Sequence, residues 1–378
     1  MKPSRQPLLA LLLSACTASS PPGPGVSARV SHRLLFPDAS DAMKGEAGPS
    51  ALVFARGKLW ALLQNLDRFA PAGPSFLAEV EPSTLALEAL HPLVLGEAVC
   101  RDATALLALD DALLVACAGS IALPPSVTRD GALAEIGYDG VVKRLVTVGR
   151  SPGGLARVGN DVWMGDGEGG GLSHVALDTF AVLAGADGDG LVPPCKQGPS
   201  KAGFVADVAA IHDRLFVSCF NDDAVREVDP ATGRPIGPAL VSGAGPLKLV
   251  PVGDRLYVLD NLGGTLSIVH PDTPARIERA ALFLGRGGDE GGNDPQGLAG
   301  DTHRIAVTNS TYGTLVLVDL APAPKLVASV DLKVSPDAPS PFPTSVAFDG
   351  TAWFVALPGL EFDARKVASE IVRVEVDE

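Results

Sequence analysis

The chain is short of the residues that usually announce chemistry. Its six histidines (His32, His91, His174, His212, His270 and His303) show neither HxxxH nor HxH spacing, so no metal-ligand pattern emerges from them. It contains no Gly-x-Ser-x-Gly elbow, no P-loop and no paired Cys-x-x-Cys, and no nucleophile and base stand in a recognisable pairing. Apolar residues at 3.6-residue spacing, the mark of amphipathic helices, are missing. Positive charge is scarce too: 30 Lys and Arg face 44 Asp and Glu, a formal net charge of -14. That balance argues against nucleic acid and against adsorption to anionic lipid, and it suits cationic partners or simple solubility.

What is abundant is glycine (42), proline (32) and short apolar stretches, a composition that points to an all-β fold. From residue 49 onward one unit recurs seven times. Aligned on its second stretch, the copies read GKLWALL at 57, DALLVAC at 111, NDVWMGD at 160, DRLFVSC at 213, DRLYVLD at 254, HRIAVTN at 303 and TAWFVAL at 351. An earlier stretch begins at Pro49, Ala103, Pro152, Val205, Pro246, Pro295 and Pro343, with Leu or Val three residues later in every copy. Proline lacks a backbone donor and suits the first residue of a strand at a sheet edge. Several short strands per period of about 40 to 50 residues are the signature of propeller blades. Blades packed on both faces also explain why the strands read as nearly continuous apolar runs.

Third strands follow at 76, 133, 172, 224, 265, 314 and 370, and short fourth strands follow the first six of these. The seventh unit lacks a fourth strand, since its third is the last of the chain. Residues 26–36, VSARVSHRLLF, form a strand-like segment without a partner of its own. The expectation is a seven-bladed β-propeller whose ring is closed when this segment joins the last blade as its outer strand.

The first residues, MKPSRQPLLALLLSAC, combine a basic head (Lys2, Arg5) with an apolar run from Leu8 to Leu13 that is too short to span a bilayer. They resemble a bacterial lipoprotein signal, with Leu13, Ser14, Ala15 and Cys16 matching the lipobox. The resemblance implies cleavage before Cys16 and lipidation of that cysteine. Residues 1–15 are then a signal peptide, 16–25 a Ser, Pro and Gly tether, and 26–378 a single propeller domain. Loss of Lys2 and Arg5 takes the charge from -14 to -16. Thr17, rather than Asp, follows the cysteine, which in a Gram-negative cell would imply the outer membrane.

Export permits disulfides among the four remaining cysteines. Cys117 and Cys219 end the second strands of blades two and four, and Cys100 and Cys195 lie in the loops leading into those same blades. Cys100 with Cys117 and Cys195 with Cys219 are therefore possible local pairs, whereas Cys117 with Cys219 would join blades that are not neighbours. Four free buried thiols remain the alternative.

Long insertions fall at 65–75, 119–130, 185–203, 285–294 and 358–369, all on the face where each first strand begins and each second strand ends. Elaborated loops on a rigid scaffold are where function concentrates. The central mouth on this loop face draws candidate ligand-binding residues from equivalent positions: Asp166, Asp207, Lys248, Asp260, Gln296 and Asn309. Such a mouth suits a cation or small polar ligand, although Asp and Asn at strand ends also bond their own turns. The acidic, glycine-rich stretches at 186–190 and 287–294 suggest calcium, yet Asp187 and Asp189 lack the distal Glu of an EF-hand loop. Phe69, Phe76, Leu123 and Phe362 are apolar residues that these loops would expose, although Phe69 and Phe76 flank a Pro-Ala-Gly-Pro turn and could instead pack beneath it.

Blades four and six, and blade five after them, look like the YVTN repeat family of seven-bladed propellers, Thr308 and Asn309 matching the end of its signature. The Pro-x-Gly-Leu starts at Pro152 and Pro295 resemble NHL-type repeats. These resemblances specify architecture and leave activity open. The related gluconolactonase-like propellers are metal-dependent lactonases. Their metal site implies a Glu directly before Gly-Pro in the first blade, whereas this chain has Glu46, Ala47, Gly48 and Pro49, with Gly153 and Gln296 where Asn would stand. Only Asn309, Asp166 and Asp260 match in type. The function expected is therefore a lipid-anchored, non-enzymatic binding or scaffold module of the bacterial cell envelope, engaging an envelope protein, a glycan or a small polar ligand. A metal-dependent hydrolase and a structural subunit of an envelope complex are the alternatives.

Overall fold

The computed structural model describes residues 26–36, 43–67, 70–119, 131–149, 151–167, 170–184, 194–195, 203–272, 275–284, 294–335, 337–359 and 368–377. They form seven four-stranded antiparallel sheets arranged as a β-propeller, with two short hairpins and a single 3-10 turn, Phe220–Asp222. No helix among them is long and apolar enough to cross a membrane.

The second strands show why this sequence makes blades. In Asp161–Asp166, Trp163 packs toward blade four while Val162 and Met164 pack toward blade two. Strand residues point alternately to opposite faces, so a strand flanked by blades on both sides must be apolar at every position. Seven hydrophobic clusters among the described residues correspond to the seven junctions between neighbouring blades. All three tryptophans, Trp60, Trp163 and Trp353, lie in these junctions with 2% exposure or less.

The repeat register is carried into hydrogen bonding. Each inner strand of blades one to six pairs its first residue with the last residue of the second strand: Pro49 with Leu63, Ala103 with Cys117, Pro152 with Asp166, Val205 with Cys219, Pro246 with Asp260 and Pro295 with Asn309. A bulge follows soon after in all six, releasing residues from the ladder as bulges do. Three hydroxyls just inside the inner strands use this freedom to reach the next blade. Ser50 Oγ donates to Ala103 O (2.7 Å), Thr104 Oγ1 to Pro152 O (2.9 Å) and Thr344 Oγ1 to Pro49 O (3.4 Å). Asn261 Nδ2 and Ser310 Oγ donate likewise to Pro295 O and Pro343 O, both at 2.8 Å. Proline at these starts has no N–H to satisfy, and its carbonyl is claimed by the neighbouring blade.

The ring closes as the sequence implies. Ser27–Leu35 lies antiparallel to Glu370–Asp377, from Ser27 opposite Asp377 to Leu35 opposite Glu370. Arg33 fixes the seam: its guanidinium bonds Glu370 Oε2 (2.7 Å) and the carbonyls of Leu332 (2.8 Å) and Lys333 (3.2 Å) in blade six. Arg29 adds an exposed pair with Glu375 at 3.3 Å. Phe36 and Met43, just beyond the strand, are buried in the junction between blades seven and one.

Both local cysteine pairs are disulfides, Cys100 with Cys117 and Cys195 with Cys219, with Cα separations of 5.4 and 5.2 Å. Of the two readings of Phe76, exposed or packed beneath its turn, the packed one holds. Phe76 is 2% exposed because it starts the third strand of blade one opposite Leu63, inside the blade seven and one junction. Phe69, Leu123 and Phe362 lie outside the described residues.

Candidate functional site

The loop face begins, in each blade, with a sharp turn into the inner strand. The residue before that strand is left-handed in six of seven blades: Gly48 (φ 53°), Asp102 (49°), Ser151 (45°), Gly245 (63°), Asp294 (31°) and Phe342 (56°). Glycine and aspartate adopt this conformation at modest cost, while a bulky Phe342 does so only where its surroundings impose it. Of the long insertions, 65–75 is largely described and folds as a small hairpin, Leu66–Asp67 with Ala70–Pro71, tied to Glu46 by an isolated bridge at Leu66. Buried Asn65 organises it by accepting from Gly45 N (2.7 Å) and donating to Pro74 O (2.8 Å). The acidic stretch 186–190 and residues 287–293 lie outside the described residues.

Each mouth candidate has its own bonding partners. Asp207 and Lys248 come together, at equivalent positions of neighbouring blades. Asp207 is 8% exposed, and its Oδ2 accepts from Leu249 N at 2.9 Å. Burial pushes its carboxyl above the usual value, against the attraction of Lys248 and the N–H groups of Leu249 and Val208. In blade seven Ser345 Oγ occupies the same place and accepts from Leu52 N across the ring closure at 3.2 Å.

Asp260 is fully buried at the end of the second strand of blade five. Its Oδ2 accepts from Ser267 Oγ (2.7 Å) and Thr265 Oγ1 (3.2 Å), while Oδ1 has no hydrogen-bond partner among the described residues. Desolvation lifts its pKa to about 6, opposed first by the Ser267 hydroxyl. A Cβ at Gly243 would lie 2.4 Å from Oδ2, so only glycine fits there. Asn309 is also buried and serves its own turn, accepting from Tyr312 N at 3.3 Å and donating to Leu284 O at 3.4 Å. Gln296 donates to Asp294 Oδ1 at 2.6 Å. Asp166 closes the second strand of blade three opposite Pro152.

The structure adds residues that the motifs did not single out. Gln64 Nε2 donates to Asp102 Oδ1, and Asn261 Nδ2 donates to Asp294 Oδ1 at 2.7 Å. Both are one device: an amide one residue past a second strand grips a carboxylate one residue before the next inner strand. Asp102 is 3% exposed, and desolvation raises its pKa to about 6 against the Gln64 hydrogen bond. Superposing Gln64 on Asn261 and Asp102 on Asp294 in the repeat register would have exposed this latch from the sequence.

Among the described residues no three His, Cys, Asp or Glu side chains converge as a metal-binding group. Asp260 and Asn309, two of the types that matched a lactonase-like metal site, are engaged by blade five and by the turn of blade six together with Leu284 O, respectively. Chemically, the described part of this face offers buried carboxylates that bond within a blade or to the next one, and an outer surface available for contact.

No family model matches the chain, and no curated protein is similar to it in sequence. Solved structures are similar in shape. A streptogramin B lyase matches with a TM-score of 0.65 at 12% identity, over 93% of this chain and 98% of that one. Selenomethionine-substituted virginiamycin B lyase from Staphylococcus aureus matches with a TM-score of 0.62 at 12% identity, over 93% and 99%. The Cps50 (Swd1) β-propeller domain of Myceliophteria thermophila matches with a TM-score of 0.64 at 10% identity, over 92% and 99%. Two lyases and a β-propeller domain of another kind thus stand at similar TM-scores, and at such identities the likeness is one of fold. The chain is a seven-bladed β-propeller closed by its own N-terminal strand.

Proposed function

We propose that this protein is a non-enzymatic binding or scaffold propeller of the bacterial envelope, held by a lipid on Cys16 and presenting its loop face to a partner. One observation carries the reading. The acidic side chains in the best positions for chemistry are spent on the fold: Asp102 and Asp294 on the amide latches and Asp207 on Leu249 N between blades, and Asp260 on Ser267 and Thr265 within blade five. Groups used to fasten neighbouring blades support a rigid presenting platform. The lipobox at 13–16 and the tether at 16–25 support placement at a membrane surface, with the outer membrane favoured by Thr17.

Two measurements test this. Cys16→Ala in the full chain should move the protein from the membrane fraction to the soluble fraction and abolish acyl modification. Cross-linking of the full chain in cells should capture a partner at residues of the loop face. Cross-links confined to the opposite face, or a Cys16→Ala protein that stays in the membrane fraction, would defeat the respective half.

A further inference from the structure

The loop face is not uniform, and over blades three to five it carries an apolar platform. Phe204 and Phe220, both half-buried, meet edge to face with ring centroids 5.7 Å apart at 87°. Leu262, in the adjacent turn of blade five, is 65% exposed. Glycines keep this row level. A Cβ at Gly167 would stand 3.2 Å from Phe204 Cε2, and one at Gly245 would stand 2.7 Å from Leu262 Cγ and 3.1 Å from Phe220 Cε2. The row therefore runs from Gly167 of blade three across Phe204 and Phe220 to Leu262 of blade five. Asp223 Oδ1 accepts from Gly245 N at 2.8 Å and fixes the two blades to each other beneath it.

Negative charge stands beside the row in Asp222 and in exposed Asp223. Asp222 follows Phe220 in the same 3-10 turn. Aromatic faces rimmed by carboxylates attract cations that have an apolar stem, through cation–π contact and Coulomb attraction together. The row ends on exposed Leu262 and follows neighbouring blades side by side, whereas small-molecule sites are concave and enclose most of their ligand. A row crossing three blades suits an extended chain.

Resting on the reading of the loop face as a binding surface, we propose that Phe204, Phe220 and Leu262, with Asp222 and Asp223 beside them, dock a basic peptide segment of a partner protein, its lysine or arginine stems lying on the apolar row. The full chain is titrated with a fluorescein-labelled peptide of alternating lysine and leucine, followed by anisotropy at low and high salt. The same peptide with glutamate for lysine, and a glycine–serine peptide, serve as comparisons.

The basic peptide should bind, salt should weaken it, and both comparison peptides should fail. Leu262→Ser and Phe220→Ser should each weaken binding by about tenfold or more, as expected for central apolar anchors. Asp222→Asn should weaken it less, mainly at low salt. Leu262 is exposed, so its substitution leaves folding intact and remains decisive if Phe220→Ser misfolds. Equal binding of the glutamate peptide, or unchanged affinity in Leu262→Ser, would overturn the proposal. Cross-links that map to the loop face while the basic peptide fails to bind would overturn it and leave the binding-module reading standing. A Leu262-dependent peptide signal without any loop-face partner would do the reverse.

Discussion

The seam between blades six, seven and one and the locked loops of blades two and four solve the same problem in different ways. Blades two and four are each stapled by a disulfide that spans only 17 or 24 residues of sequence. The seam joins Ser27 to Asp377 by strand pairing alone, with Arg33 bonding Glu370 and the backbone of blade six. Local staples restrain a loop whatever happens to the ring, whereas the seam exists only when the whole ring does. Cooperative stability should therefore concentrate at the seam, although the covalent links lie elsewhere.

The sharpest way to break this contrast is removal of residues up to Phe36. That deletes the outer strand of blade seven, buried Phe36 and the Arg33 bonds at once. It should cost most of a domain's margin, about 5 kcal/mol or more. Circular dichroism melting should show a broad or absent transition, and an unchanged melt would refute the role given to the seam.

Arg33→Ala is the next test. It leaves Glu370, whose side chain is 5% exposed, without its cation. Breaking a buried pair in this way costs about 3 to 5 kcal/mol. Urea unfolding should show that loss, while Arg29→Ala, at an exposed pair, should change stability by less than about 1 kcal/mol.

Removing one staple through the Cys100→Ala, Cys117→Ala double substitution should cost about 3 kcal/mol by the loop-entropy estimate. The loss should leave a single cooperative transition, unlike loss of the seam. A split transition in calorimetry would show that blade two can melt alone.

The smallest effect is one of pH. Burial raises Asp102 and Asp260 from the ordinary 3.8 to about 6 in the folded protein, so the fold holds these protons more tightly than the unfolded chain does. Their contribution is fully present below the unfolded value and is lost as pH rises through about 6. Each should reduce stability by about 1 kcal/mol between about pH 5 and about pH 7.5. Asp102→Asn and Asp260→Asn should each flatten that slope, read as melting temperature against pH.

Much of this architecture was legible because it rests on apolar pattern. Second strands such as Leu113 to Cys117 are buried on both faces, so their composition alone marks them. Residues 26–36 were assignable because the seventh unit lacked a fourth strand and they lacked a partner. The cysteines were assignable because the repeat placed each pair around one loop. The site was harder to read. Whether Asp207 binds a ligand or Leu249 N depends on how closely blades four and five approach, which no single repeat encodes. The Gln64 to Asp102 and Asn261 to Asp294 latches span two repeats and look like ordinary turn residues within either one. Phe76 stayed ambiguous because it follows the Pro-Ala-Gly-Pro turn, where position suggests exposure, yet it is already the first residue of a buried strand.

The collar formed where Ser50, Thr104, Asn261, Ser310 and Thr344 donate to the leading carbonyl of the following blade has an evolutionary reading. Its acceptors lead five of the seven blades, so the collar spans five junctions and begins downstream of the left-handed turn residues. Loops that hold none of the five donors can lengthen, shorten or be exchanged without altering one bond of the collar, whereas the loops of Asn261 and Ser310 are tied into it. Such a chain can acquire new specificities by grafting loops while inheriting its frame unchanged.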